Sequence, residues 1–481
     1  MTDSAITTTD NEPATTNPAR LTTRLRLILI LVILADVLDL MDSTITNIAA
    51  PTIVRDIGGG ESLIKWLGAS YALAMGVLLV VGARLGDRYG KRRMFLIGIA
   101  GFTIASLAAG LSVDPVMLIT ARLAQGGFGA LLIPQGIGLL IGAFNREQMR
   151  TAFTVFGPAM GASAILGPIL AGFIISANIG GLTWRPIFLI NIVLGTAGFI
   201  AALRVLPRDE AAGQTPIDSL GAGLLGASMF GLIYGLIEGS TGGWTALPIG
   251  CLAAGVALLA AFGVRQRMAA DPLILPSLLA NRGFTAGLLL GLVFFAAVNG
   301  LAYVISLFFQ TGLGMTARNA SIALSPFMIG IIIASFVCRP LLAKLGRTMV
   351  VIGLGLTLTG AAGVWATVLN EGTGVNLWAL APSILVLGIG AGACFSSIFD
   401  VAIGDVAPAE AGSASGSLSA VQQLATAIGS AVVTTVYFSQ QAQHGAGHAM
   451  TVSVAVVAAI AALGLGIVWL LPRSAPAEEH R

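Results

Sequence analysis

Charge is scarce in this sequence: 10% of its 481 residues are Asp, Glu, Lys or Arg, against about 25% in an ordinary soluble domain. A chain whose whole surface meets water is thereby excluded. Histidine is nearly missing, with only His444, His448 and His480, so the sequence offers no buried His constellation for hydrolytic or metal chemistry. The three cysteines, Cys251, Cys338 and Cys394, lie far apart inside apolar runs and read as packing residues. No Gly-x4-Gly-Lys-Ser/Thr loop occurs, which removes ATP hydrolysis. The Gly388, Gly390, Gly392 spacing falls in an apolar run rather than at a strand-to-helix turn, and reads as helix packing rather than a dinucleotide loop. A net charge of +3 is too small to imply a nucleic-acid partner.

What is abundant is apolar surface and glycine: 56% of residues are hydrophobic and 62 are Gly, a composition suited to packed membrane helices. Windows of about 20 apolar residues recur about fourteen times, from near 27–50 to near 450–471, each long enough to span a bilayer. The expected fold class is therefore an all-α, polytopic membrane protein. Residues 1–24 read as a disordered cytoplasmic tail, and no signal peptide is expected, because the first apolar run is too long and carries three aspartates. Of the 25 Lys and Arg, alternate assignment puts only Arg55, Lys65, Arg185 and Arg318 on the outer side and Arg122 within a span. The rest fall on one side, which places both termini in the cytoplasm. The loop after the second span, Leu85-Gly86-Asp87-Arg88-Tyr89-Gly90-Lys91, is echoed after the tenth by Leu341-Leu342-Ala343-Lys344-Leu345-Gly346-Arg347, with Ala343 in place of Asp87. Two homologous halves account for the echo: a six-helix bundle over 25–206, two inserted transmembrane helices over 207–271, a second six-helix bundle over 272–472, and a tail over 473–481.

Intramembrane charges are costly, about 2.5 to 3.5 kcal/mol each on insertion scales, and usually face a polar cavity. Here they are Asp36, Asp39, Asp42 and Arg122, whereas Glu238 and Asp400 lie nearer helix ends where water reaches them. The three acids follow at steps of three, each about 60° behind the last, so they span about 120° of one helix face. Counting along the spans puts Asp42 and Arg122 at similar depth, so a pair is expected. Three buried anions near one cation cannot all stay ionised cheaply. Either at least one, with Asp42 first, Asp39 next and Asp36 as an inner-vestibule or packing acid, binds protons reversibly, or the pair is a permanent structural tie.

Four strings carry a resemblance: Met41-Asp42-Ser43-Thr44-Ile45-Thr46-Asn47 with Pro51; Gly82-Ala83-Arg84-Leu85-Gly86-Asp87-Arg88-Tyr89-Gly90-Lys91-Arg92-Arg93; Arg122-Leu123-Ala124-Gln125-Gly126; and Gly157-Pro158, Gly161, Gly167-Pro168 and Gly172. In order and spacing they resemble the major facilitator superfamily, specifically its fourteen-helix drug:proton antiporter branch. Trp184-Arg185-Pro186 through Asn191, and Ala411-Gly412-Ser413 with Gln422 and Gln423, are similar to that branch too. The resemblance implies a secondary transporter in the cell membrane that exports drugs or other small amphipathic compounds against protons. A dedicated exporter of one metabolite, or an importer, remains the alternative; a membrane enzyme or receptor is not expected. It implies proton coupling through Asp42, Asp39, Asp36 and Arg122, and a conformational latch at Asp87, Arg88, Gly90 and Arg92 whose partner is expected near Gly412 to Ser415. It also implies a gating helix bent at Gly157, Pro158, Gly167, Pro168 and Gly172, and a substrate cavity near Asn47, Gln125, Gln135, Gln422 and Gln423. The expected partners are a small-molecule substrate, protons and the lipid bilayer, with no cofactor, no metal and a monomeric state.

Overall fold

The computed structural model describes residues 21–207, 218–403, 406 and 410–471, so the terminal tails expected from the sequence lie almost wholly outside the described residues. The described chain is helical, without a strand among the described residues. The helices are α1 (Thr23–Ile57), α2 (Gly60–Tyr89), α3 (Lys91–Gly110), α4 (Pro115–Ala143), α5 (Arg146–Ala177), α6 (Pro186–Val205), α7 (Ser219–Gly242), α8 (Ala246–Met268), the short α9 (Pro276–Ala280), α10 (Arg282–Leu307), α11 (Ala317–Ala323), α12 (Ser325–Leu345), α13 (Arg347–Glu371), α14 (Leu377–Ile403), α15 (Ala411–His444) and α16 (Ala446–Val468). Twelve helical stretches among the described residues are long and apolar enough to cross a membrane. Beside them stand α1, with Asp36, Asp39 and Asp42 along its middle, and α5, of 35 and 32 residues. The tenth expected span is broken at Leu324 into α11 and α12.

Local chemistry sets the helix ends. Asp114 caps α4 by accepting from Met117 N at 3.0 Å, with Pro115 next in the first turn, where a missing N–H costs nothing. Asn145 and Gln148 form a capping box at the start of α5, satisfying two donors reciprocally. Gly90 ends α2 and begins α3 with φ +94°, a conformation that L side chains rarely adopt. The tight return of the chain there depends on that glycine.

Helices α1 to α6 pack on one another, as do α10 and α12 to α16, and α7 pairs with α8 while also touching α2 and α15. Trp184 and Arg185, opening α6, both donate to Asp56 Oδ2 in the last turn of α1, at 2.9 and 2.5 Å. Asp218 before α7 pairs with Arg265 of α8 at 3.1 Å. The two groups meet through α2 against α15, α5 against α11 and α12, and α1 against α10 and α11. At the end reached by Ile57 and Ala177, here the far end, one apolar core runs through both groups and includes Ile48, Ile53, Ala171, Tyr303 and Ala317. At the near end, where α1 begins, the cores part: one joins Ile28, Phe95, Leu140 and Leu206 within the first group, and another joins Leu278, Phe284 and Ala414 in the second.

Lys65, which charge alternation assigns to the outer side of the membrane, is fully buried near the far end of α2. Its Nζ donates to Ser240 Oγ of α7 at 2.9 Å and sits 5.7 Å from the Phe438 ring of α15. The ammonium is satisfied by a hydroxyl and an aromatic face rather than by water.

Candidate functional site

Asp42 and Arg122 form an ion pair with side chains 0% and 1% exposed. Burying two charges costs several kcal/mol per ion unless the remaining polar atoms are also satisfied. That condition is met around Asp42, whereas Arg122 Nε has no hydrogen-bond partner among the described residues. Asp42 Oδ1 accepts from Asn191 Nδ2 of α6 at 2.8 Å and from Gln125 Nε2 of α4 at 3.1 Å. Gln125 Oε1 accepts from Arg122 Nη1 at 3.0 Å, and Gln125 Nε2 also donates to Ser106 Oγ of α3 at 2.9 Å. The guanidinium lies 4.6 Å from the Tyr71 ring centroid and 5.8 Å from that of Phe188, cation–π distances. The pair is thus locked inside the first group of helices by α3, α4 and α6.

Asp39 has a different environment. Its carboxylate accepts from the Tyr71 hydroxyl, and both residues line a cavity of about 270 Å³ between the two helix groups. Among the described residues, Asp39 is the charged one in that wall. Tyr71 therefore touches both sites, through its hydroxyl to Asp39 and through its ring to Arg122. Asp36, nearer the start of α1, is 7% exposed, and its Oδ1 has no hydrogen-bond partner among the described residues.

The cavity wall is divided by chemistry. Ser43 and Asn47 of α1 and Gln422, Gln423 and Thr426 of α15 supply polar groups, while Phe294 and Phe295 of α10, Phe327 of α12 and Phe395 of α14 supply an apolar face. Phe295 meets Phe395 edge-on at 5.4 Å between centroids. Asn299 Nδ2 donates to Thr426 Oγ1 at 2.9 Å. Asn47, Gln422 and Gln423 thus stand in the wall as expected from the sequence, but Gln125 and Gln135 do not. Gln125 belongs to the Asp42 network, and Gln135 Nε2 donates to Gly82 O at 2.8 Å, tying α4 to α2. Both amides are spent on backbone and charge inside the first group, which is why neither reaches the cavity.

Pro168 also lines the cavity, flanked along α5 by two close approaches. A Cβ on Gly167 would lie 2.5 Å from Thr44 Oγ1 of α1, and one on Gly172 would lie 2.9 Å from Arg318 Cα of α11. The side chains of Gly157 and Pro158 are outside the described residues. At the near end, Asp87 is exposed and makes no ion pair among the described residues; Arg88 lies 5.2 Å from the Tyr89 ring, and Arg92 Nη2 donates to Leu203 O of α6 at 2.8 Å. Of the expected latch partner, Gly412 lies outside the residues whose side chains are described, Ser413 is half-buried, Ala414 is buried and Ser415 is exposed. The far end is shut by contacts between the groups: Tyr303 Oη donates to Ile64 O at 2.6 Å, and Ser306 Oγ to Asn47 O at 3.5 Å.

Sequence reasoning missed Tyr71, Ser106 and Asn191 as parts of the site. The available signal was a lone amide or hydroxyl inside an apolar helix, where a polar group needs a partner.

The model of the family described as Major Facilitator Superfamily matches residues 32–430 and, in a second match, 287–481. A probable actinorhodin transporter of Streptomyces coelicolor is 40% identical over 409 residues, 84% of this chain and 71% of that one. A tetracenomycin C resistance and export protein of Streptomyces glaucescens is 33% identical over 400 residues, 82% of this chain and 72% of that one. Among solved structures, a peptide transporter crystallised with sulfate aligns with a TM-score of 0.68 at 15% identity, covering 92% of this chain and 95% of that one; this is a likeness of fold. With its helical groups enclosing a central cavity, and with a family match over most of its length, the chain belongs to the Major Facilitator Superfamily.

Proposed function

We propose that this transporter exports small amphipathic compounds of the antibiotic kind from the cell in exchange for protons, and that α1 and α5 join the twelve apolar helical stretches to make fourteen membrane passes. An even number of passes puts both termini on one side, and the basic loops put that side in the cytoplasm. The near end then faces the cytoplasm, and the structure corresponds to the state shut towards the outside. One observation carries the coupling: the acid in the cavity wall, Asp39, hydrogen bonds to Tyr71, whose ring packs on the guanidinium that pairs with Asp42. A proton on Asp39 neutralises the one charge that the cavity wall presents among the described residues. Losing it restores an anion that attracts a cationic or hydrogen-bonding substrate against the phenylalanine face. Substrate and proton thus compete for one site, which is what exchange requires. Asp42 and Arg122 hold the geometry around Tyr71. Asp87, expected in a loop but lying in the last turn of α2, acts as the latch of the state open to the outside, where its carboxylate meets a partner it lacks among the described residues here. The energy comes from the proton gradient, with no cofactor. A narrow substrate range is the second reading, favoured by relatives named for single compounds.

Proton release accompanying substrate uptake into sealed inverted vesicles tests the coupling. The wild type should alkalinise the lumen in step with substrate uptake, and Asp39→Asn should abolish uphill movement while keeping substrate-dependent exchange. If Asp39→Asn, Asp42→Asn and the double variant all sustain uphill export that still collapses with the proton gradient, the coupling site lies elsewhere.

A further inference from the structure

A second cavity, of about 750 Å³, opens on the perimeter of the molecule between the near ends of α3 and α6, away from the central site. Its rim carries Arg92 and Arg93, in the first turn of α3, and its floor is apolar: Leu96, Ala100 and Phe199. No carboxylate lines it among the described residues. Arg92 is fixed at the rim by its bond to Leu203 O at 2.8 Å. Lys91 turns away, its side chain lying against Gly138 of α4. Ala100 lies about 10 Å along the helix from Arg93, at about 1.5 Å per residue, so the slot runs from the rim towards the membrane centre.

The helix faces beside the slot are exposed and apolar, with Ile97 and Ile104 on α3 and Val193 and Ile200 on α6. In a membrane protein such faces meet acyl chains. The arginines at the top of α3 therefore stand at headgroup depth, above a tail-sized apolar slot. We infer that this groove binds one anionic phospholipid, its phosphate between Arg92 and Arg93 and one acyl chain along Leu96, Ala100 and Phe199. The charge selects an anionic over a zwitterionic headgroup, and the slot selects a lipid over a free anion. Basic pockets between helices at the cytoplasmic face have this recognition chemistry. Because Arg92 lies two residues after Gly90, where α2 turns into α3, an occupied groove ties that junction to the inner leaflet.

The full-length protein in detergent, titrated with phosphatidylglycerol or with phosphatidylcholine of the same chains and read by native mass spectrometry, tests the site. Phosphatidylglycerol should be retained in preference. At about fivefold per arginine, Arg92→Gln with Arg93→Gln should weaken retention roughly twenty-five-fold. Ala100→Trp, which fills the slot and leaves both arginines in place, should weaken it too, and Arg267→Gln at the near end of α8 should not. Should the double variant fail to fold, Ala100→Trp decides alone. Equal retention of the two lipids, or undiminished phosphatidylglycerol on the Ala100→Trp protein, overturns the inference, the latter by showing a site for anions only.

Discussion

Asp42 accepts from Arg122, Gln125 and Asn191, whereas Asp39 accepts from Tyr71 alone among the described residues. Replacing the first therefore strands a buried guanidinium, and replacing the second does not. Asp42→Asn should lower the stability of the purified protein by about 3 to 5 kcal/mol, the usual cost of breaking a buried pair from one side. Arg122→Gln added to it should recover much of that loss, because two neutral amides can hydrogen bond where one unpaired charge cannot. Asp39→Asn should stay within about 1 kcal/mol of the wild type, since the amide oxygen still accepts from the Tyr71 hydroxyl. Thermal unfolding in detergent reads all three. If Asp42→Asn melted with the wild type, the pair would not be holding α1 to α4. The acids on α1 and Arg122 are legible in the sequence because charge inside an apolar run is conspicuous. Tyr71 is not, because a phenol in a helix betrays its partner only when another helix, here with an acid 32 positions away, is set beside it.

At the level of elements, glycine decides how closely helices approach. Gly388 and Gly392 of α14 face α12, and Gly390 faces α13: added Cβ atoms would lie 2.8 Å from Phe327 C, 2.9 Å from Ile331 Cα and 2.7 Å from Gly353 O respectively. The stripe is a packing device on two sides of one helix. Gly390→Leu should abolish recovery of monodisperse protein in size-exclusion chromatography, because its new atoms meet backbone rather than a side chain that can swing away. Gly355→Ala, where nothing lies within 4 Å of a Cβ, should be recovered as the wild type is. Normal recovery of Gly390→Leu would mean that α13 and α14 separate more readily than their contact suggests. The helices and their order were readable because each apolar window must satisfy its own backbone within the membrane. The break at Leu324 and the burial of Lys65 were not, since Lys65 is satisfied by Ser240, 175 positions away on α7. Charge counting alone places such a lysine in water.

At the level of the whole molecule, transport needs the far end to open and the near end to shut around the same cavity, and the populations of the two states follow from contacts present in only one. The far end is closed in part by α5 resting on α11, where Gly172 has no room for a side chain: a Cβ would lie 2.8 Å from Ala317 O and 2.9 Å from Arg318 Cα. A leucine there is incompatible with closure as seen here, and overpacking of this kind costs about 1 to 3 kcal/mol. That is roughly a fivefold to hundredfold shift towards the state open at the far end. Asn299→Cys supplies a reporter in the cavity wall, in a background with Cys251, Cys338 and Cys394 replaced by serine or alanine. A thiol reagent that cannot cross the membrane should label this cysteine slowly from the far side in the parent. Adding Gly172→Leu should speed far-side labelling at least fivefold and slow near-side labelling, while turnover falls because the cycle stalls in one state. Unchanged labelling from both sides, with folded protein in hand, would show that α5 can leave α11 without opening the cavity. The far-end seal would then rest on the contacts of Tyr303 with Ile64 and of Ser306 with Asn47 instead.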